Sequence, residues 1–164
     1  MKLATEADTS IDRAQIDVLR KAEVEIWSHL DADMLDWVNK LHSSGIKTGL
    51  LSNMPLDLAA HVRANCDWME TFTFKTLSAE VRLIKPDPAI YEHTLRGLGV
   101  AATDALFIDD RETNISAARS LGIHAIQFST VARLKNDLES LGFPIMPVVA
   151  KSPERTRQEI KFQL

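Results

Sequence analysis

Three small groups of polar residues close apolar runs in this chain, and together they carry its chemistry. Asp109 and Asp110 end "ALFIDD". Ser52 and Asn53 end "GLLSN". Ser78 and Glu80 follow "TFTFKTL", with Lys85 a little further on in "IKPDP". Two adjacent carboxylates repel each other unless a cation cancels the charge. A hydroxyl, an ammonium and a carboxylate pair therefore suit a divalent cation together with an anion. Mg²⁺ takes one or two carboxylates and completes its shell with water and phosphate oxygens. Lys85 and the Ser52 hydroxyl would hold the remaining phosphate oxygens. Without such partners, Asp109–Asp110 reads as a helix N-cap followed by a first-turn acid.

These groups matter only if the fold brings them to one edge. "IDRAQIDVLRKAEVEIWSHL" has apolar residues at helical spacing, with Thr9 or Ser10 before it as a cap. "DADMLDWVNKLHSS" opens on aspartates and stops at Gly45, a second helix. The period then changes. "IKTGLLS", "TFTFKTLS", "ALFID" and "HAIQF" read as strands. They alternate with "LDLAAHVRAN", "DPAIYEHTLRGLG", "ETNISAARSLG" and "TVARLKNDLESLG", which read as helices. Such alternation predicts an α/β fold: a Rossmann-like three-layer sandwich, with a mostly parallel sheet between helical layers. In such folds ligands bind beyond the carboxyl ends of the strands, where the three groups lie.

The bulk numbers narrow the class. The 164 residues are 45% hydrophobic and 26% charged, ordinary globular material. The net charge is −4 and no basic patch is concentrated anywhere, so no nucleic-acid partner is expected. No apolar run approaches the ~18 residues a membrane span needs. The N-terminus lacks the apolar core of a secretory signal. Cys66 is the lone cysteine, which suits a reducing, cytoplasmic setting. The five histidines are scattered, and none stands at a strand end beside the carboxylates. Trp27, Trp37 and Trp68 read as packing residues.

"LLSN", "IKPDPAIY" and "LFIDDRETNISAARSLGIHAIQF" resemble motifs two, three and four of the haloacid dehalogenase-like (HAD) hydrolase superfamily, in particular its small phosphatases with a helical cap. The resemblance covers roughly residues 31–143, with 1–30 a remnant of the helical cap and 144–164 a C-terminal tail. It implies Mg²⁺-dependent hydrolysis of a small phosphorylated metabolite. Ser52 would hydrogen-bond the phosphoryl group, and Asn53 stands beside it as a substrate-binding residue. Lys85 would neutralise phosphate and nucleophile. Asp110 would bind Mg²⁺ directly, with Asp109 helping directly or through water. Asn114 would brace the site, or make an ordinary helix-turn contact. Arg111 would pair with Asp110 or with a substrate anion. Haloacid dehalogenases, a second alternative, usually carry Ser-Asn-x-x-Asp at motif four, where this chain has Asp-Asp.

The resemblance also implies something missing. The family attacks with an aspartate in a pattern like hhhhDxDG[TV]L at the end of a first strand. The only Asp-x-Asp here is Asp31 and Asp33 in "HLDADMLDW", with no strand before it and no glycine after it. That segment reads as a helix cap. The missing strand would be central, between the Ser52 and Asp109 strands. Its loss would leave buried backbone groups unpaired, which is costly. Three remedies stand open: a truncated sequence, a homodimer formed by strand or segment exchange, or a local segment such as "FPIMPVVA". The chain alone is expected to be inactive, and a non-catalytic anion-binding or protein-interaction domain is the alternative.

Overall fold

A computed structural model describes residues 31–143, together with 18, 19, 21, 22, 24 and 25, which are helical. The expected first helix, the residue 1–30 cap remnant and the "FPIMPVVA" tail fall largely or wholly outside these residues. The first complete helix is α1, Ala32–Ser43. The Asp31 carboxylate caps it, accepting from the Asp33 and Met34 N–H groups at 2.9 and 3.0 Å. That is the role of a helix start rather than of a nucleophile.

Four short strands follow: β1 (Gly49–Ser52), β2 (Phe74–Leu77), β3 (Leu106–Asp109) and β4 (His124–Gln127). Between and after them run α2 (Leu56–Asn65), α3 (Ser78–Val81), α4 (Pro88–Leu98), α5 (Glu112–Ser120) and α6 (Val131–Ser140). The expected strands are present but shorter than their apolar runs. "IKTGLLS" pairs only over Gly49–Ser52, and Ser78 opens α3 instead of ending β2. The turn α3 and the 3-10 turns at Asp67–Thr71 and Ala102–Asp104 carry no long periodic pattern in the sequence.

The pairing is parallel throughout, as expected, but it forms two sheets of two strands. β1 pairs with β2, Ser52 opposite Leu77, and β3 pairs with β4, Asp109 opposite Gln127. Among the described residues no strand joins β1 to β3. Side chains alternate between helical layers on both faces, which is the three-layer arrangement. Leu50 faces α2 with Leu58 and Val62. Ile126 packs with Met34 and Trp37 of α1 and Leu134 and Leu138 of α6. On the other face Leu51 joins Ile90 and Tyr91 of α4, Ala118 of α5 and partly buried Phe107 of β3. This last cluster spans both half-sheets and holds them together. α4 approaches β2 so closely that a Cβ on Gly97 would overlap the Phe74 ring, which would have to move to admit it.

Candidate active site

The structure brings Lys85 and Asp109 together, at the end of β3 and beside β1. Asp109, last in β3, is 1% exposed, and the Lys85 side chain beside it is 4% exposed. The Lys85 ammonium donates to Asp109 Oδ2 at 2.7 Å and to the Leu51 carbonyl at 2.9 Å. It therefore bridges β3 to β1, and it lies 5.6 Å from the centre of the Phe107 ring. Ser52 follows Leu51 on β1 and is 1% exposed. Ser52, Lys85 and Asp109 thus belong to one neighbourhood.

Asp109 is held from three sides. Its Oδ1 accepts from the Arg111 N–H at 2.8 Å and from Asn114 Nδ2 at 2.9 Å, while Oδ2 takes Lys85. Asn114, buried on α5, therefore reaches back to the strand-end carboxylate instead of bonding only within its own helix turn. Its own carbonyl accepts from the Tyr91 hydroxyl at 3.1 Å, and Tyr91 packs edge-on against Phe107. Burial, with the Asp109 charge added, pushes the Tyr91 hydroxyl above the ordinary tyrosine range. Burial lowers the Lys85 amine from the usual lysine range, while the Asp109 hydrogen bond and charge oppose that fall.

Asp110 differs from its neighbour. It is half-buried, and no side chain among the described residues hydrogen-bonds its carboxylate. Its carbonyl accepts from Gln127 Nε2 at 2.9 Å. Burial raises the Asp110 carboxyl above its usual range, and the Asp109 charge raises it further. Among the described residues no three His, Cys, Asp or Glu side chains gather as a metal centre. The Asp110 carboxylate, engaged by main chain but by no side chain among the described residues, fits Mg²⁺ as one carboxylate of a partial shell, while Asp109 is already engaged by three donors. Ser52 is almost wholly enclosed, but its hydroxyl is not a buried orphan; among the described residues the buried side-chain polar atom without a partner is Trp68 Nε1.

Asn53, expected as a substrate contact, sits differently. Its Oδ1 accepts from the Lys85 N–H at 2.9 Å, and its Nδ2 donates to the Lys85 carbonyl at 3.0 Å. Both ends of the carboxamide are therefore engaged with main chain, and one N–H remains to meet a ligand. Ser78 and Glu80 do not line the site as ligands. Ser78 Oγ accepts from the Met54 N–H at 3.0 Å and donates to the Met54 carbonyl at 3.2 Å. Glu80 pairs with Arg63 through both carboxylate oxygens, at 2.6 and 2.7 Å. Met54 is a core residue. The Arg111 guanidinium is exposed and makes no ion pair among the described residues, whereas its main-chain N–H serves Asp109.

Trp27 and His29 lie outside the described residues, and three of the other candidates pack against aromatic rings. His93 packs at a tilt against Phe74, and Trp37 and Trp68 pack edge-on against Phe143 and Phe72. The Cys66 thiol follows α2 and burial pushes it up, the opposite of an activated nucleophile. Sequence reasoning missed Tyr91 and the Ser78 clamp. Tyr91 sits three residues past Pro88 on an amphipathic helix, where an aromatic reads as core, and its hydroxyl partner is a main-chain carbonyl with no sequence mark.

A family model for haloacid dehalogenase-like hydrolases matches residues 1–122. A phosphatase of Mycobacterium tuberculosis is 31% identical over 103 residues, 60% of this chain and 48% of that protein. Acyl-CoA dehydrogenase family member 10 of Mus musculus is 28% identical over 123 residues, 68% of this chain but 10% of that protein. Among solved structures, a HAD family enzyme of Bacteroides thetaiotaomicron, in complex with magnesium and inorganic phosphate, superposes with a TM-score of 0.56 at 27% identity. The superposition covers 61% of this chain and 53% of that one. The chain thus spans about half or less of these relatives.

Proposed function

From the premise that this chain belongs to the haloacid dehalogenase-like hydrolase family, we propose that its site serves Mg²⁺-dependent hydrolysis of small phosphate monoesters. One observation carries the reading. The Lys85 ammonium is anchored on the Asp109 carboxylate at the end of β3 and on the Leu51 carbonyl of β1, and the next residues in the chain are the hydroxyl-bearing Ser52 and the second carboxylate, Asp110. The phosphatase relative and the neighbour holding magnesium and phosphate support it. Magnesium, when bound, offsets the charge of the acids and of the phosphoryl oxygens. Asp110 would hold it, and Asp109 would orient Lys85. Ser52 would donate to a phosphoryl oxygen, and Lys85 would stabilise the charge that develops there. Phosphoryl transfer asks mainly for such positioning and electrostatic support.

The chemistry also needs a carboxylate to attack phosphorus while the ester P–O bond breaks and the leaving oxygen takes a proton. Water would then cleave the acyl phosphate to inorganic phosphate. Among the described residues no Asp-x-Asp stands at a strand end. A strand entering between β1 and β3 would bring one there, whether from the same protein or from a second copy by exchange. A second reading is favoured by the same gap: an anion-binding or protein-interaction domain without turnover.

A generic aryl phosphate assay with Mg²⁺ separates these readings. This chain alone is expected to bind inorganic phosphate without turnover. Fusion of a strand ending in Asp-x-Asp-Gly ahead of it is expected to restore hydrolysis. Phosphate binding without any gain on fusion would favour the binding domain. No phosphate binding at all would refute both.

A further inference from the structure

We infer that Asn53 is a positioning residue for Lys85, so that strand β1 and the turn directly after it grip this one lysine at both ends. This rests on the phosphate-site reading only in giving Lys85 its role. At the backbone end, the Asn53 carboxamide takes both polar groups of a single residue, accepting from the Lys85 N–H at 2.9 Å and donating to its carbonyl at 3.0 Å. A carboxamide used in this way imitates a neighbouring peptide unit, closing two hydrogen bonds as a paired strand would. At the side-chain end, the Leu51 carbonyl, two residues earlier on β1, accepts from Lys85 Nζ at 2.9 Å. The four-carbon stem between these points has little freedom left.

The arrangement has a reason. Lysine is a flexible point charge that loses much rotamer freedom when ordered. Its segment, Arg82–Asp87, belongs to neither helix nor strand, and its first residue has φ of 58°, a left-handed backbone uncommon outside glycine. Nothing in such a segment by itself directs Lys85 toward Asp109. The Asn53 ring fixes the backbone from which the stem departs. Ser78 repeats the device next door, closing a two-bond ring on the Met54 main chain. The turn carrying Asn53 is thereby tied to the end of β2, and cannot drift while it holds Lys85.

The test is trace acylation of lysine amines in the full chain, read by mass spectrometry without phosphate present. Wild-type Lys85 should label slowly because it is buried and hydrogen-bonded. In Asn53→Ala its rate should rise about tenfold, the factor that about 1.4 kcal/mol of lost locking represents. Lys40, Lys47 and Lys75 should keep their wild-type rates. Asn53→Asp keeps the acceptor for the Lys85 N–H and loses the donor, so it should fall between the two. It also serves as the test variant if Asn53→Ala fails to fold. A wild-type rate at Lys85 in the variants overturns the inference. So does a parallel rise at all four lysines, which would make Asn53 a general stabiliser. Repeating wild-type labelling with inorganic phosphate and Mg²⁺ tests the phosphate site separately, and failure there leaves the variant comparison standing.

Discussion

The two half-sheets bring polar groups to the same site by opposite means. On the β3–β4 side everything is closed. Asp109 accepts three hydrogen bonds, Asn114 is held in turn by Tyr91, and all of these bonds but the one from the Arg111 N–H are buried. On the β1–β2 side, Asn53 and Ser78 clamp main chain, and neither clamp takes up the hydroxyl of nearly enclosed Ser52. The contrast teaches which groups are scaffold and which await a ligand. A saturated buried carboxylate organises its neighbours, whereas a hydroxyl that no side chain or main chain holds stays able to bond a ligand. Lys85 belongs to both sides, with its ammonium on Asp109 and on Leu51.

The largest effects should therefore fall on the closed side. Asp109→Asn leaves the Lys85 ammonium buried without its countercharge, and should cost about 3–5 kcal/mol in urea unfolding. Lys85→Met should cost a similar amount by stranding Asp109. The double variant should lose clearly less than the sum, because neither charge is then abandoned. Additive losses would mean the pair is not coupled and would erase the contrast.

Further out on the same side the effects shrink. Asn114→Ala removes one of three donors to Asp109 and should cost about 1–3 kcal/mol. Tyr91→Phe deletes only the hydroxyl bond to the Asn114 carbonyl and should cost about 0.5–1.5 kcal/mol. Thermal or urea unfolding orders the pair. If Tyr91→Phe proved the worse, the network would not run from Asp109 outward.

The same contrast explains what the sequence made legible. Ser52, Lys85 and Asp109–Asp110 were visible because charged and hydroxyl residues at the ends of apolar runs are conspicuous against their surroundings. The alternation of strands and helices made the parallel three-layer fold legible too. Asn53 was read by type as a ligand contact, but its carboxamide engages Lys85 main chain, and main-chain partners leave no trace in side-chain patterns. Ser78 was assigned to a strand end because "TFTFKTLS" is continuous in composition. The strand stops at Leu77, where pairing with Ser52 ends. The break between β1 and β3 was expected from what the chain lacked, and no residue pattern marks it.

A solvent-facing version of the clamp ties α2 to α3. Arg63 holds Glu80 in a bidentate pair, and that hydrogen bond keeps the Glu80 carboxyl below its ordinary range despite an opposing desolvation. A depressed folded value means stabilisation that is complete above the ordinary glutamate range and lost as pH falls through the folded value. The pair is partly exposed, so about 0.2–1 kcal/mol is expected. Glu80→Gln should be less stable than wild type by that amount at neutral pH and equal to it near pH 2–3, a range about one unit or more below the ordinary glutamate value. A difference that persisted at low pH would mean that packing, and not charge, accounts for it.

The smallest expected change in stability is the most informative. Ser52→Ala removes a hydroxyl that bonds to no described residue from a nearly enclosed position on β1. Unfolding should shift by less than about 0.5 kcal/mol. Calorimetry with inorganic phosphate and Mg²⁺ should nonetheless show affinity reduced about tenfold, since a lost hydrogen bond to a charged oxygen is worth about 1.5–3 kcal/mol and water recovers part of it. A residue that the fold ignores and the ligand needs is what the open side of the site predicts. A stability loss like that of Asn114→Ala, with phosphate affinity intact, would place Ser52 with the scaffold and leave the β1–β2 side without a ligand-facing group.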